Sequence, residues 1–332
     1  MKIAVVILNW NGKKLLEQFL PSIVNFSSQE AEIYVADNAS TDNSVKFIKE
    51  FYPAIKIIEN AKNGGYAKGY NDALQNISAD IFCLINSDVE VTENWLTPII
   101  SVFENNLNTA IVQPKILDYK DKTKFEYAGA AGGFVDLFGY PYCRGRVFNK
   151  LEKDQLQFDD IKDIFWASGA CFFIRSKVYK KLNGFDEDYF AHQEEIDLCW
   201  RVQNEGFNIK YVGFSSVYHV GGATLQESNP QKTFLNFRNS LLNVVKNVPK
   251  KWFLLVVFSR LILDGIAGFK FILELRPIHT WAILRAHISF YANFYKFLSK
   301  RKILQKKENY NLHTSIVWQY FVLGRKKFDD LK

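Results

Sequence analysis

The sequence lacks the features by which several protein classes are most readily identified. It contains four cysteines in 332 residues, and none are spaced as C-x-x-C. This argues against a disulfide framework and favours a reducing, cytosolic setting. No G-x-G-x-x-G follows the first apolar run, and G-x-x-x-x-G-K-[ST] is absent, so the chain has neither the dinucleotide-binding nor the Walker A signature. The amino-terminal stretch has no small-residue cleavage site of a signal peptide and instead predicts a first strand.

A long uncharged apolar run is also missing. The most apolar stretch, residues 252–275, begins with eight uncharged residues, well short of the ~20 that a membrane span requires. It carries four charged side chains: Arg260, Asp264, Lys270 and Glu274. These share one arc of a helix, so the stretch predicts an amphipathic helix. Such a helix packs on its neighbours or lies in a membrane interface, and a true span is disfavoured by the charges.

Positive charge is concentrated at one end of the chain. Residues 231–332 contain 19 Lys and Arg against 5 Asp and Glu, whereas the first 230 residues contain 23 against 30. The basic residues that flank the apolar stretches are Lys246, Lys250, Lys251, Lys296, Lys300, Arg301, Lys302, Lys306 and Lys307. No nucleic-acid-binding motif accompanies them, so we expect an anionic membrane surface rather than nucleic acid as the partner.

The first part of the chain alternates short apolar runs with helical patterns. The runs KIAVVIL, EIYVADN, IKIIEN and DIFCLIN are each followed by polar and then helical sequence. This alternation predicts a mostly parallel α/β sheet covered by helices on both faces. Residues 115–165, rich in glycine and aromatics, predict an irregular segment, and GACFFIR and IKYVGFSSVYH predict further strands.

Polar residues follow the predicted strands at the point where each strand ends. In open α/β sheets, ligands bind at the carboxyl ends of strands, so these residues are expected to converge on one edge. They are Asn9, Asp37, Asn38, Ser40, Asp42, Asn63, Gly64, Gly65, Asn71, Asp72, Asn86 and Asp88. Each by itself is an ordinary turn or cap residue. Four strand ends of this kind predict a binding site, and the glycines permit close approach of backbone to a phosphate.

The ordered motifs VILNWNG, VADNASTDNS, NGGYAKGYN, LINSDVEV, ASGACFFIRS, GFDEDYFAHQEEIDLCWR and VYHVGGAT resemble those of family 2 glycosyltransferases of the GT-A fold, in the rhamnosyltransferase-like branch. The resemblance covers about residues 1–225. It implies a catalytic domain over 1–230, with a nucleotide-sugar half at 1–115 and an acceptor half at 116–230. Residues 231–332 then form a helical, amphipathic, basic region that associates with a membrane.

The resemblance also implies roles at the donor side. The family's metal-binding DxD motif corresponds to Asn86, Ser87 and Asp88, with Asn where the acidic pattern has Asp. Asp88 is then the expected ligand of a divalent cation, with His219 reaching the metal or the diphosphate, and oxygen ligands such as the Asp88 carboxylate suit Mg²⁺ or Mn²⁺. Asp37 is implied to hold the nucleobase. The remaining donor-binding residues are expected to be Asn9, Asn38, Ser40, Asp42, Asn63, Gly65, Asn71, Asn86 and Ser87.

The family's Glu-Asp motif falls on Glu194 and Glu195. Inverting sugar transfer needs a carboxylate to take the proton of the acceptor hydroxyl, so the resemblance implies Glu195 as the base and Glu194 as second choice. A helix start bearing acidic residues would also explain this pair. Trp166 is expected to stack on an acceptor sugar or to lie in the core, and Arg238 to meet an anionic lipid-linked acceptor.

We therefore expect a metal-dependent inverting glycosyltransferase of cell-surface polysaccharide synthesis. The expected donor is deoxythymidine-diphosphate-rhamnose or a uridine-diphosphate sugar, and the expected acceptor a glycan or lipid-linked glycan. The expected location is cytoplasmic, peripheral at the inner face of the plasma membrane. The alternatives are a nucleotidyltransferase, which shares nucleotide and metal needs, and a non-catalytic nucleotide-sugar-binding scaffold at the membrane.

Overall fold

A computed structural model describes residues 1–221, 229–301 and 307–332. The last part of the VYHVGGAT motif and the basic residues Lys302 and Lys306 lie outside the described residues. The strands are β1 (Ile3–Asn9), β2 (Glu32–Asp37), β3 (Lys56–Glu59), β4 (Ile81–Asn86), β5 (Val89–Val91), β6 (Thr109–Asp118), β7 (Gly133–Val135), β8 (Pro141–Cys143), β9 (Arg146–Val147), β10 (Lys150–Leu151), β11 (Ile161–Asp163), β12 (Cys171–Arg175) and β13 (Asn208–His219).

Helices cover the sheet and continue beyond it. They are α1 (Lys13–Ser27), α2 (Ser44–Phe51), α3 (Gly65–Leu74), α4 (Thr97–Asn105), α5 (Ser176–Lys181), α6 (Glu194–Asn204), α7 (Pro230–Asn247), α8 (Phe253–Leu273) and α9 (Pro277–Ser299). The central sheet has the strand order β11-β13-β6-β12-β4-β1-β2-β3, and β5 pairs with β13. The strands β4, β1, β2 and β3 run parallel, while β12 runs antiparallel between β4 and β6. The predicted α/β architecture is confirmed.

The apolar runs explain why this sheet is central. Every side chain from Ile3 to Ile7 and from Ile81 to Ile85 is buried, because helices pack on both faces of β1 and β4. Residues of alternating parity from these strands fill two separate cores, one on each side of the sheet. The continuous apolar runs in the sequence are therefore required by the two-sided packing.

The glycine-rich and aromatic segment is more regular than we expected. The strands β7–β10 form a small four-stranded antiparallel sheet, and many of its residues are buried. Its rings pack against the end of the chain, where Phe134 and Tyr142 contact Phe328. Tyr142 Oη is 2.6 Å from His313 Nδ1. The prediction of an irregular segment is wrong because contacts about 170 residues away in sequence order it.

Ion pairs, of which those of Lys246 are buried, tie the basic carboxyl-terminal part to residues 186–197. Lys246 on α7 contacts Asp186 at 2.8 Å and Asp197 at 2.9 Å, and Lys300 contacts Asp186 and Asp188 at 2.6 and 2.5 Å. Lys296 also pairs with Asp188. Three of the lysines that we expected to face anionic lipid are therefore paired with aspartates of this chain.

The outer helices expose their apolar side. On α8, Arg260 and Asp264 are 1% and 0% exposed, whereas Phe258 and Phe269 are 64% and 62% exposed. Arg260 stacks on Tyr140, and Asp264 accepts a hydrogen bond from the Tyr140 hydroxyl at 3.0 Å. The predicted helix is confirmed, but part of its charged arc faces the protein.

The helix α9 continues this arrangement with exposed apolar side chains. We call the following set the outer apolar stripes: Leu254, Phe258, Ile262, Ile266, Phe269 and Leu273 of α8 and Ile278, Trp281, Leu284, Ile288 and Tyr291 of α9. Within the described ranges, no helix combines the length and hydropathy needed to cross a membrane.

Candidate active site

Parallel pairing brings the polar strand ends to one edge of the sheet. Asn9 at the end of β1 pairs in register with Asp37 at the end of β2, and Leu8 pairs with Asn86 at the end of β4. Because neighbouring parallel strands end together, the residues that follow them share one edge. The predicted convergence of the strand ends is present.

Asn9, Asp37 and Ser40 form a hydrogen-bonded group at this edge. The Asn9 amide donates to Asp37 Oδ1 at 2.9 Å and to Ser40 Oγ at 3.1 Å, and the Ser40 backbone N–H donates to Asp37 Oδ2 at 2.9 Å. Asn9 Oδ1 is buried without a hydrogen-bond partner. A Cβ on Gly12 would lie 2.4 Å from that oxygen and 3.6 Å from Ser87 Oγ, so a larger residue there would force the Asn9 amide to move.

A second group joins the ends of β2 and β3. The Asn38 amide donates to Asn63 Oδ1 at 2.9 Å and to the Gly65 carbonyl at 3.1 Å. Gly65 has a φ of +79°, and a Cβ there would lie 2.7 Å from the Phe190 carbonyl oxygen. This glycine thus lets the loop after β3 approach Phe190.

Asp42 organises the backbone next to the Asn9 group. Its carboxylate accepts hydrogen bonds from the backbone N–H groups of Lys13 and Ser44, each at 3.0 Å. Burial opposes ionisation of this carboxyl, but the hydrogen bonds from Ser44 and Lys13 outweigh it and lower the pKa of Asp42. The carboxylate is therefore held as an anion at the start of α1 and α2.

Asp88 and His219 lie together at the end of β4. The pairing of β5 with β13 sets His219 opposite Val89, which brings His219 Nε2 to 3.2 Å from Asp88 Oδ1. Asn86 Nδ2 lies 3.5 Å from the same nitrogen. On the other side of the ring, His219 Nδ1 lies 3.3 Å from Glu126 Oε1, without a well-aligned hydrogen bond.

The electrostatics of this group favour a positive charge between the carboxylates. Burial lowers the pKa of His219, but the charges of Glu126 and Asp88 overcome this and raise it to about 10. Glu126 is 3% exposed, and sequence reasoning did not identify it, because a single Glu in a glycine-rich segment carries no recognisable pattern. Among the described residues, no three His, Cys, Asp or Glu side chains form a complete metal site.

Glu194 and Glu195 begin helix α6; Glu194 is buried and Glu195 is partly buried. One oxygen of each, Oε2, is buried without a hydrogen-bond partner. Burial raises the pKa of Glu195 to about 7, and burial together with the charge of Glu195 raises the pKa of Glu194 well above its ordinary value. A carboxyl with a pKa near neutrality exchanges protons readily at physiological pH.

The segment between Trp166 and Cys171 connects the two carboxylate groups. The Asn86 backbone N–H donates to the Ala170 carbonyl at 2.9 Å, and the Tyr66 hydroxyl donates to the Gly169 carbonyl at 2.7 Å. A Cβ on Gly169 would lie 3.9 Å from Glu195 Cβ. The donor-side strand ends and the Glu pair therefore adjoin the same short segment.

Three of the predicted site residues have other contacts. The Asn71 amide is fully engaged with Tyr179, Phe185 and Glu187. Trp166, expected to stack on a sugar or to lie in the core, is 3% exposed and donates its indole N–H to the Phe134 carbonyl at 2.9 Å. It is a core residue, because the strand β7 covers its ring.

Arg238, expected to meet the acceptor, donates instead to backbone. Its guanidinium contacts the carbonyl oxygens of Asp188 and Tyr189 at 3.4 and 3.1 Å. Its Nε donates to Asn239 Oδ1 at 2.8 Å. In this structure Arg238 supports the segment that precedes Glu194.

Comparison with known proteins agrees with this arrangement. Residues 4–182 match the family described as Glycosyl transferase family 2. The N-acetylglucosaminyl-diphospho-decaprenol L-rhamnosyltransferase of Mycobacterium tuberculosis is 23% identical over 231 residues, which cover 65% of this chain and 75% of that protein. Rhamnosyltransferase WbbL of Escherichia coli is 24% identical over 218 residues, covering 63% and 78%.

Solved structures share the fold at low sequence identity. GalNAc-T7 with UDP, GalNAc and Mn²⁺ superposes with a TM-score of 0.59 at 14% identity; the match covers 89% of this chain but only 57% of that one. The mannosyltransferase PcManGT of Pyrobaculum calidifontis, in complex with GDP-Man and Mn²⁺, gives a TM-score of 0.53 at 13% identity, covering 89% and 87%.

Proposed function

The chain belongs to glycosyl transferase family 2, and from that membership we propose that it is a metal-dependent, inverting enzyme that moves a sugar from a nucleoside-diphosphate donor to a lipid-linked glycan. The observation that carries this proposal is the meeting of two chemically different groups at one segment. The strand-edge group contains Asp88 and His219, and the other is the pair Glu194 and Glu195. Gly169 and Ala170 adjoin both.

The Asp88 group fits a divalent cation that is completed by the donor. A carboxylate oxygen and an imidazole nitrogen lie 3.2 Å apart, and Mg²⁺ or Mn²⁺ is commonly held by few protein ligands together with phosphate oxygens. We propose Asp88 and His219 as these ligands, with Glu126 orienting the imidazole from its other nitrogen. Because a ligating imidazole must be neutral, binding of the cation would release the proton that His219 holds between the carboxylates. When bound, such a cation neutralises the charge that develops on the departing diphosphate.

The strand-edge groups hold the nucleotide in this proposal. Asp37 and the unpartnered Asn9 Oδ1 offer acceptors to base or ribose N–H and O–H groups. The loop over residues 63–65, which leads into helix α3, would face the diphosphate in this proposal. Asn38, Ser40, Asp42, Asn63, Asn86 and Ser87 shape this pocket. Asn71 stays in the proposal only as a residue that holds α3 in place.

Glu195 acts as the base. Its carboxylate takes the proton of the acceptor hydroxyl as that oxygen bonds to the anomeric carbon from the face opposite the diphosphate. The bond to the diphosphate breaks with its electron pair, so no covalent enzyme intermediate forms. A pKa of about 7 suits this role, because the carboxylate is both substantially ionised and basic near neutral pH. Glu194 lies beside it, and burial together with the charge of Glu195 raises the pKa of Glu194 well above its ordinary value.

We propose that the acceptor is presented by a membrane surface. The relatives include an enzyme named for a diphospho-decaprenol acceptor, and the outer apolar stripes give this chain a surface suited to lipid. Their exposed Trp281 and Tyr291 are side chains favoured at the boundary between headgroups and hydrocarbon. Helices lying in the interface bury their apolar side in lipid.

Charge on the same helices favours anionic lipid over a second copy of the chain. Lys250, Lys251, Lys270, Arg276 and Arg285 are exposed on or beside α8 and α9. They would repel one another in a self-association but attract an anionic surface. In this proposal residues 231–332 hold the enzyme peripherally at the cytoplasmic face of the plasma membrane, where the site reaches a lipid-linked acceptor.

The first experiment is a donor panel on the full chain. Thermal stabilisation and sugar-nucleotide hydrolysis are measured with uridine-, thymidine- and guanosine-diphosphate sugars, with and without Mn²⁺ or Mg²⁺. We expect one donor, thymidine-diphosphate-rhamnose or a uridine-diphosphate sugar, to stabilise the protein only with metal, and Asp88→Ala to lose that effect. If no donor binds with any metal, the transferase proposal is wrong, whereas metal-dependent donor binding without hydrolysis or transfer would favour the scaffold alternative.

A further inference from the structure

The segment that leads into Glu194 has an unusual backbone. Phe190, His192 and Gln193 have φ values of +64°, +66° and +74°, the left-handed region that non-glycine residues rarely adopt. Such residues persist only when surrounding contacts hold them, and they cluster at functional sites. The contacts that hold residues 189–193 are therefore informative about the site.

One side chain of helix α7 holds most of this segment. The Asn239 amide nitrogen lies 3.1, 2.9 and 2.7 Å from the carbonyl oxygens of Tyr189, Ala191 and His192. Arg238 Nε donates to Asn239 Oδ1, which fixes the orientation of the amide. One turn later, Asn243 donates to the Gln193 carbonyl at 3.1 Å.

The opposite side of the segment contacts the donor half. The Tyr66 backbone N–H donates to the Phe190 carbonyl at 3.1 Å, next to Gly65. The segment is thus fixed between α7 and the loop that approaches the donor. Gln193 accepts the first helical hydrogen bond of α6, from the Asp197 N–H at 3.0 Å. The position of residues 189–193 therefore sets where Glu194 and Glu195 begin.

We propose that Asn239 is a positioning residue that fixes the left-handed segment 189–193 and thereby aims the Glu194–Glu195 pair at the reacting sugar. The proposal rests on the proposed function, since it assumes that this pair serves transfer. It adds that α7, from the helical carboxyl-terminal part, is a component of the active site. Asn239 is itself 0% exposed and acts through the backbone it holds.

The proposal distinguishes positioning from simple support of the fold. If Asn239 aims the pair, its loss lets the segment relax, the carboxylates take up water, and the pKa of Glu195 falls towards its ordinary value. The charged or titratable groups that influence Glu195 or its partner are Glu194, Asp197, Cys199 and Tyr66. None of these is changed by the substitution.

The test compares Asn239→Ala and Asn239→Asp with Asn236→Ala on the full chain. Asn236 lies one turn earlier on α7, and no side-chain hydrogen bond of it occurs among the described residues, so it controls for the loss of an Asn from this helix. The Tm is measured at steps between about pH 5 and about pH 8, because a raised carboxyl pKa makes stability fall over this range.

We expect this pH-dependent fall in Tm, taken as the difference between each protein and its Glu195→Gln counterpart, to shrink in both Asn239 variants and to be unchanged in Asn236→Ala. The difference removes the contributions of Asp136, whose pKa burial raises to about 7, and of His192, whose pKa burial lowers to about 4. Asn239→Asp keeps the side-chain shape but removes both N–H donors. Should the Asn239 variants lower the Tm by the same amount at every pH, Asn239 merely supports the fold and the proposal is overturned.

A milder variant covers the case in which the Asn239 variants do not fold. Asn243→Ala removes a single bond to the segment, and we expect it to flatten the pH profile in the same direction by a smaller amount. An unchanged profile in a folded Asn243→Ala protein would count against the proposal. If no donor binds to the wild-type protein in the donor panel, the proposed function is wrong. If the wild-type protein binds a donor but the Asn239 variants keep the wild-type pH profile of Tm, only the proposed role of Asn239 is wrong.

Discussion

The donor end and the acceptor end of the site are built in different ways. At the donor end, Asn9 contacts Asp37 and Asn38 contacts Asn63 across 28 and 25 positions of sequence, within consecutive βα units. At the acceptor end, the segment before Glu194 is held by Asn239, about 50 positions away. The contacts of the proposed nucleotide pocket thus lie within the first βα units, whereas the proposed acceptor end depends on helix α7, which comes later in the chain. We therefore expect substitutions in the two ends to affect different properties, donor binding in one case and the rate of transfer in the other.

Removing the proposed base should have the largest effect. Glu195→Gln keeps the side-chain shape but cannot take a proton, so we expect kcat for sugar transfer to fall about 10²–10⁴-fold. Donor affinity, measured by thermal shift with Mn²⁺, should stay within about twofold, because the interaction is made with the acceptor.

The matched control is Glu194→Gln, the same change one residue earlier. We expect it to reduce kcat less, because the proposal assigns the proton transfer to Glu195 and not to Glu194. A larger loss in Glu194→Gln than in Glu195→Gln would assign the base to Glu194. Loss of donor binding in either variant would contradict the separation between the two ends.

The lipid contact of the carboxyl-terminal helices gives the next effect. Phe258→Ser combined with Phe269→Ser removes two large exposed side chains from α8. Burial of such a side chain contributes about 1.5–3 kcal/mol, so we expect binding to vesicles of anionic phospholipid to weaken about 100-fold. Sedimentation with vesicles measures this directly.

Phe51→Ser supplies the control for that double variant. Phe51 on α2 is 62% exposed, like Phe269, but belongs to the donor half, so vesicle binding should be unaffected. Equal losses in the two proteins would indicate non-specific adsorption. Dimer dissociation in the α8 variant, without a change in vesicle binding, would indicate that a second copy covers this surface.

A substitution in the proposed nucleotide pocket should affect donor binding and leave the rate of transfer almost unchanged. Asp37→Asn removes the charge that accepts from Asn9 and Ser40, and we expect donor KM to rise about tenfold with kcat within about twofold. Asp118→Asn, the same change at the end of β6, should leave both constants unaltered. A fall in kcat alone for Asp37→Asn would contradict its placement at the nucleotide.

Sequence reasoning succeeded where local rules apply. The ends of β1, β2 and β4 could be predicted to meet because apolar runs define the strands and parallel strands end together. The roles of Glu126 and Asn239 could not be predicted, since their partners are distant in sequence. The spacing of Asn239, Asn243 and Asn247, one turn apart in an apolar helix, was a usable signal of a polar contact.

The same limit explains the errors. A buried role for Trp166 and ion pairs for Lys246 and Lys300 depend on which helix or strand packs against them. Charge composition alone assigned those lysines to a membrane surface. The burial of Arg260 and Asp264 likewise follows from Tyr140 and His287, which come from other elements, so helical periodicity identified the polar face but not the direction in which it points.

The smallest expected effect concerns stability. The pKa of Glu195 is raised to about 7 in the folded protein, above its ordinary value of 4.5. Between these values the folded state holds a proton that the unfolded state has released, so stability falls as pH rises from about 4.5 to about 7. Glu195→Gln lacks this loss. At neutral pH we expect its free energy of unfolding to exceed that of wild type by an amount on the order of 1–3 kcal/mol, and its unfolding temperature to be correspondingly higher.

At low pH the two proteins should converge, because Glu195 is then protonated in both states of the wild type. Glu17→Gln on α1, at an exposed carboxylate, should leave the pH profile as it is in wild type. If the unfolding temperatures of Glu195→Gln and wild type differ by the same amount at all pH values, the folded protein does not raise the pKa of Glu195. The carboxylate would then be hydrated or paired with another group. Glu195 would then have to act as a base without a pKa raised by burial.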